Sequence, residues 1–362
     1  MMAAFSSSTR RLALVLILLV STLGCNLLVQ PGNISQPPRQ AAPGDLLLPT
    51  AAEPVPPTPT ATRVIEAYLP SPTRTPTPTL VPTDPPSPTP VPSTPTPLPP
   101  APVTRRVVII SVDGLRPDAL DQTHTPTLDR LRSQGAYTAD ARTVLPSVTL
   151  VSHASMLGGM TPEKHGIYWN DFRPELGKIN GPTLFSVAHD AGLSTAMVVG
   201  KPKLEHLVLP GSVDSYIFAG SRDDEVAAKA LELLQGEPPA VLFIHFPDTD
   251  AVGHSSGWMS LPQLQTVSHV DTLIGQIADA LDLSDTLLIV TSDHGGTGTG
   301  HGGDTPEETR IPWLAVGPGI PAGLVLSPPL HTYDTAAAAL YALGLPIPPE
   351  WDGRPPAELG VR

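Results

Sequence analysis

The segment from Pro31 to Pro102 is dominated by proline and threonine, and it decides where this chain can fold. About half of the 47 prolines lie in it, as in "PSPTRTPTPTLVPTDPPSPTPVPSTPTPLPP". Proline fixes φ and removes a backbone donor, so helices and sheet interiors reject it. The segment has few aromatic residues and no apolar period. It therefore cannot bury enough surface to offset the entropy of ordering itself. Residues 26–103 are expected to form a disordered stalk of extended, semi-rigid polyproline character. Folding is left to residues 104–362, about 260 residues, which is enough for one α/β core.

Residues 1–25 read as an export signal. Arg10 and Arg11 form a basic head, and Leu12 to Val20 is an apolar run too short to span a bilayer comfortably. Cys25 is the only cysteine, so intramolecular disulfides are excluded. Following "STLG", it resembles the lipidated cysteine of a bacterial lipoprotein. That resemblance implies an exported protein at the cell envelope or extracellular face, anchored to a membrane at Cys25. The formal charge of −13 offers no basic surface for phosphate backbones, so stable nucleic-acid binding is not expected.

Beyond Thr104, apolar β-branched runs alternate with helical patterns. "RRVVIISVDG", "LSTAMVVG", "AVLFIHFPD", "TLLIVTSD" and "IPWLAVGPG" read as buried strands. "TPTLDRLRSQG" reads as a helix capped by Thr125 and stopped at Gly135. "TLFSVAHDAG", "DDEVAAKALELLQG" and "LPQLQTVSHVDTLIGQIADAL" are further helices. The last places Val267, Val270, Ile274, Ile277 and Leu281 on one face. The alternation predicts an α/β fold with a mostly parallel central sheet and helices on both faces.

Three polar clusters then share one address. Asp113, Asp248 with Asp250, and Asp293 with His294 each follow a predicted strand, and ligands of open α/β sheets bind at the carboxyl edge. In "FPDTDAVGHSSG", Asp250 and His254 are four residues apart. In "SDHGGTGTGHGG", Asp293, His294 and His301 stand in a loop otherwise built of glycine and threonine. Carboxylates and imidazoles suit zinc or a similar divalent ion, and the three segments hold enough of them for two ions. Thr149, ahead of the short helical segment "LVSHASML", is either a helix cap or a nucleophile. Its hydroxyl attacks only if a base or a metal activates it. His153 and His165 read as residues that orient loops, and His245 as a core histidine. His331 is a rival to His301. Lys201 and Lys203 in "VVGKPKLEHL" read as a solvated loop, although both could approach an anionic substrate.

Taken in order, "VVIISVDGLRPD", "LPSVTLVSHASMLGGMTPEKHGI", "YWND", "FPDTDAVGHSSG", "TSDHGG" and "GHGGDTPEETRIPWLAVGPGI" resemble the alkaline phosphatase superfamily, in its type I phosphodiesterase/nucleotide pyrophosphatase branch. The resemblance implies an alkaline-phosphatase-like three-layer sandwich over residues 104–362. It also implies two divalent ions, most simply zinc. Asp250, His254 and His301 would hold one; Asp113, Asp293, His294 and the Thr149 oxygen would hold the other. Thr149 would be the nucleophile, and Asn170 together with the Thr149 amide would bind phosphoryl oxygens. Hydrolysis of a small phosphodiester, pyrophosphate or nucleotide-like substrate would pass through phosphothreonine.

Two other functions compete. A phosphomonoesterase on the same frame should carry extra positive charge around the third phosphoryl oxygen, and no arginine lies near Thr149 in sequence. A surface-displayed binding protein without catalysis would also suit the stalk. A sulfatase is disfavoured, because "TLVSH" lacks the cysteine or serine with following Pro and Arg of that relative.

Overall fold

The computed structural model describes residues 103–359. The proposed signal, Cys25 and nearly all of the stalk lie outside them. Among the described residues no helix is long and apolar enough to cross a membrane.

The run Arg106–Val112 is rich in valine and isoleucine, and all but its first residue is buried, as expected of a strand covered on both faces. This strand, β1, is followed in chain order by β2 (Ala136–Arg142), β3 (Thr195–Val199), β4 (Ser215–Phe218) and β5 (Val241–Phe246). The remaining strands are β6 (Thr286–Thr291), β7 (Arg310–Val316) and β8 (Leu324–Val325). They form one sheet in the order β4-β3-β5-β1-β6-β7-β2-β8. β1 is parallel to both β5 and β6, with Val112 opposite Phe246 and Ser111 opposite Thr291. Their carboxyl ends are therefore level, and this brings Asp113, Asp250 and Asp293 to one edge.

The predicted strands all form. The sheet is mostly parallel, but β7 runs antiparallel to β6 and β2. Three strands escaped the sequence pattern. β2, "AYTADAR", is only partly apolar and pairs irregularly between Thr138 and Ala141. β4 is half exposed, and β8 has two residues.

Alternation along β1 explains the layers. Val107 and Ile109 join a core under α2 (Thr149–Gly158), α3 (Leu184–Asp190) and α7 (Asp334–Ala342), where α1 denotes Pro126–Gln134. Val108 and Ile110 join the opposite core with α1, α4 (Asp223–Gln235) and α6 (Leu261–Asp279). Between them, α5 (Asp248–Ser256) converts the polar stretch after β5 into a helix. Four of the five α6 residues predicted to share one face are buried, and Leu281 packs against the same core just past its end.

The start of α1 corrects one expectation. Thr125 precedes the helix, but its side chain caps nothing. The buried Asp271 of α6 instead accepts from the amides of Thr127 (3.0 Å) and Leu128 (2.8 Å). A carboxylate thus satisfies two orphan donors and also meets the positive end of the helix. Replacing Asp271 with alanine should cost about 2–4 kcal/mol, because it strands buried amides. Urea unfolding measures this loss, and Asp271→Asn should recover part of it.

Candidate active site

The loop after β6 carries Ser292, Asp293 and His294, all fully buried. Asp293 Oδ1 accepts from the amides of Gly114 (3.1 Å) and His294 (2.9 Å), which locks the carboxylate against the turn after β1. The glycines that follow permit close contact rather than looseness. A Cβ on Gly296 would lie 2.2 Å from the Trp258 ring, and Gly302 has φ +116. The loop is pinned through Gly295 N to the Glu308 carbonyl (2.8 Å) and Gly303 N to the Glu308 carboxylate (2.9 Å).

Three imidazoles obey one rule. His294 Nδ1 meets the Gly295 carbonyl at 2.8 Å, His254 Nδ1 meets Thr299 O at 2.9 Å, and His301 Nδ1 meets Ser147 O at 2.9 Å. A carbonyl oxygen only accepts, so each Nδ1 carries the proton. In the neutral ring each Nε2 is then a lone pair.

Those lone pairs face more lone pairs. His301 Nε2 lies 3.1 Å from His254 Nε2, and both lie 3.4 Å from Asp250 Oδ1. His294 Nε2 lies 3.4 Å from Asp113 Oδ1 and 3.3 Å from Asp293 Oδ2. Asp113 Oδ1, Asp250 Oδ1, Asp293 Oδ2 and His294 Nε2 are buried without a hydrogen-bond partner. Leaving such atoms unsatisfied costs about 1–3 kcal/mol each. Divalent cations held between these groups would satisfy them, so the residues present fit the metal that the sequence implies. Asp113, Asp293 and His294 form one group with ligand atoms within 4.8 Å of one another, and Asp250, His294 and His301 form a second. His294 stands at the boundary of the two, with His254 on the far side of His301.

Burial alone would push Asp113 up, but the Lys201 ammonium and a 2.8 Å hydrogen bond with His245 hold it well below the usual carboxylate range. Asp293 is raised by burial and by the neighbouring Asp113 anion. His301 is lowered to about 4 by burial and by His294, which keeps its ring neutral.

Thr149 does not cap its helix. It is the first residue of α2, Val148 holds the cap position, and the threonine is 1% exposed. Its amide forms no hydrogen bond among the described residues, so it is free to donate to a ligand. Asn170 Oδ1 accepts from the next amide, Leu150 N, at 3.0 Å. All eight predicted site residues therefore lie in one connected cluster.

The remaining residues separate clearly. His331 stacks on Tyr333 and faces Asp334, so it is not among these ligands. The Asp248 carboxylate accepts from the Asp223 amide and the Asp223 carboxylate from the Asp248 amide, which leaves Asp250 to face the cluster. His153 bridges Ser111 Oγ (2.8 Å) and the Thr149 carbonyl (2.7 Å), and His165 bonds Ser155 Oγ (3.0 Å). Both tie α2 to its surroundings. His245 is a core residue as expected, and it also holds Asp113. Trp258 is buried and donates to Gly114 O (2.9 Å), with its ring edge-on to His254.

Lys201 and Lys203 overturn their reading as a solvated loop. Lys201 Nζ lies 2.7 Å from Asp113, 2.6 Å from Asp250 and 3.3 Å from Thr149 Oγ1. Lys203 Nζ donates to Asn170 Oδ1 at 3.0 Å. Both follow the carboxyl end of β3. The strand-end rule applied to the other segments would have found them.

This arrangement is an alkaline-phosphatase-like sandwich with its polar cluster at the sheet's carboxyl edge. The type I phosphodiesterase/nucleotide pyrophosphatase family model matches residues 107–307, more than half of the chain, and the chain belongs to that family. Human ectonucleotide pyrophosphatase/phosphodiesterase family member 1 is 28% identical over 53% of this chain and 24% of its own length. An uncharacterized pyrophosphatase/phosphodiesterase of Schizosaccharomyces pombe is 27% identical over 58% and 47%. The chain thus spans about a quarter to a half of these relatives. Among solved structures, murine ectonucleotide pyrophosphatase/phosphodiesterase 5 in complex with AMP aligns with a TM-score of 0.58. It has 17% identity, over 68% of this chain and 96% of that one. A 2-O GAG sulfatase aligns at 0.57 with 16% identity, over 70% and 73%. These two share the fold.

Zinc at a hundredfold excess over its Kd should stabilise chelator-treated protein by about 2.7 kcal/mol. In thermal melts this is a rise of roughly 5–10 °C. Metal analysis should find one ion fewer in Asp293→Ala and in His254→Ala; unchanged content in both would contradict the assignment.

Proposed function

We propose that the chain is a metal-dependent hydrolase of phosphodiester or pyrophosphate bonds in which Thr149 is the nucleophile and phosphothreonine the intermediate. The observation that carries this reading is the set of buried, unpartnered oxygens and imidazole lone pairs converging beside a buried threonine. Asp113, Asp293 and His294, with Thr149, would hold one ion; Asp250, His254 and His301 would hold the other. Mixed nitrogen and oxygen donors favour zinc. Bound cations would lower the cost of charge on the attacking and leaving oxygens.

The protein's own groups account for the rest. Thr149 sits at a helix start, where its free amide can donate to a phosphoryl oxygen. Asn170 Oδ1 is committed to Leu150 N and Lys203, so its Nδ2 hydrogens are left for substrate. His245 and the Gly114 amide fix the two carboxylates before substrate arrives. That preorganisation spares reorganisation during the reaction.

Small phosphodiesters or nucleotide-like molecules are the substrates this site suits, in line with the AMP held by the murine relative. We place the exported protein at the cell envelope or extracellular face, anchored to a membrane at Cys25 with the stalk as spacer. Cys25→Ala should move it from the membrane fraction to the soluble fraction; continued sedimentation with membranes would refute the anchor. Thr149→Ala should lower turnover of bis-(p-nitrophenyl) phosphate at least about 1,000-fold, as expected for loss of a nucleophile, with zinc content retained. Unchanged turnover would remove Thr149 from the mechanism.

A further inference from the structure

Two buried histidines hold α2, and they grip it at different places. His165 meets Ser155 Oγ at 3.0 Å, in the second half of the helix. His153 reaches back to the first residue. Its Nδ1 lies 2.7 Å from the Thr149 carbonyl, and its Nε2 lies 2.8 Å from Ser111 Oγ. The carbonyl only accepts, so Nδ1 carries the proton and Nε2 accepts from the serine hydroxyl. Burial lowers His153 to about 4, which keeps the ring neutral. The ring stands edge-on to Phe243 (5.7 Å) and His245 (5.0 Å), and turning it over would present C–H groups to both partners.

The peptide that joins Thr149 to Leu150 is therefore held on both sides. Its oxygen accepts from His153, and its N–H donates to Asn170 Oδ1 at 3.0 Å. The Thr149 amide and Cβ both hang from the Cα at the edge of this peptide, so a peptide that does not rotate keeps both aimed. The far end of the His153 strut is Ser111. It lies in β1 just before Val112 and Asp113, opposite His245 in β5 and Thr291 in β6. The backbone of Thr149 is thus tied to the strand that presents Asp113. Helix ends fray, and the side chain of Val148 at the cap position secures nothing there. Misplacing a reacting group by about 1 Å costs about 100-fold in rate.

We propose that His153 is a positioning residue for the nucleophile: with Asn170 it clamps the Thr149–Leu150 peptide, so that the hydroxyl and the free amide of Thr149 face the same phosphorus. This rests on Thr149 as nucleophile and assigns what aims it. His153 acts through Thr149 and takes no part in the bond changes. Asp293 Oδ2 also lies 3.4 Å from His153 Nδ1, so a ring that served the carboxylate instead would act on metal content.

The test follows bis-(p-nitrophenyl) phosphate turnover by zinc-loaded full-length protein. Glutamine at 153 reaches Ser111 but has no donor where Nδ1 lies; asparagine places an amide there. His153→Gln should lower kcat about 100-fold with KM nearly unchanged and zinc retained, and His153→Asn should recover most of the loss. His165→Gln, which loosens α2 away from Thr149, should lower the melting temperature and leave kcat near the wild-type value. Adding His153→Gln to Thr149→Ala should slow the residual turnover no further, because residues that act as a unit are not additive. If the glutamine variant does not fold, Ser111→Ala removes the far anchor of the strut and should still lower kcat without raising KM; full kcat there overturns the proposal. Equal kcat losses in His153→Gln and His165→Gln, or an asparagine variant as slow as the glutamine one, also overturn it. Zinc lost in step with kcat moves the role of His153 to Asp293. An inactive Thr149→Ala beside a His153→Gln as fast as wild type sinks this inference alone. A Thr149→Ala as fast as wild type sinks the nucleophile reading as well.

Discussion

Three backbone carbonyls govern the site. By accepting from the Nδ1 hydrogens of His254, His294 and His301, they turn each ring so that its Nε2 lone pair points at a carboxylate. Acceptors facing acceptors repel, and around the buried His294 and His301 side chains little water is left to relieve them. The fold has to supply positive charge there. Lys201 provides one such charge between Asp113 and Asp250. The atoms that remain unpartnered mark where more is needed. In the proposed mechanism, metal binding, nucleophile activation and anion recognition would all draw on this one electrostatic deficit.

The sheet makes the deficit possible at a single point. β1, β5 and β6 end level, so residues distant in sequence arrive at one edge without a long loop. Two hydrophobic cores, one on each face, hold the strands in that register. A one-residue slip would turn every buried side chain to the other face, so register is strongly specified. The precision of the ligand cluster therefore rests on Val107 to Ile110 and their neighbours as much as on the ligands.

Much of this was legible in the chain. Continuous β-branched runs disclosed the five central strands, and Asp113, Asp250 and Asp293 stood out because each comes just past the carboxyl end of one. β2 hid because it lies toward a partly exposed margin of the sheet, where alternation is weak and a pairing irregularity breaks the pattern. Thr125 has the composition of a helix cap, yet Asp271, 146 positions later, does that work; no local pattern carries such a contact. Lys201 and Lys203 were discounted for a similar reason, since lysine in a loop is usually solvated. Their role depends on where β3 ends in space.

An anomalous-scattering crystal structure of the zinc-soaked protein tests the central claim most directly. Two peaks are predicted, one bounded by Asp113, Asp293, His294 and Thr149, the other by Asp250, His254 and His301, with the Lys201 ammonium moved off both carboxylates. A map in which Lys201 still bridges Asp113 and Asp250, with no peak among the imidazoles, would contradict it.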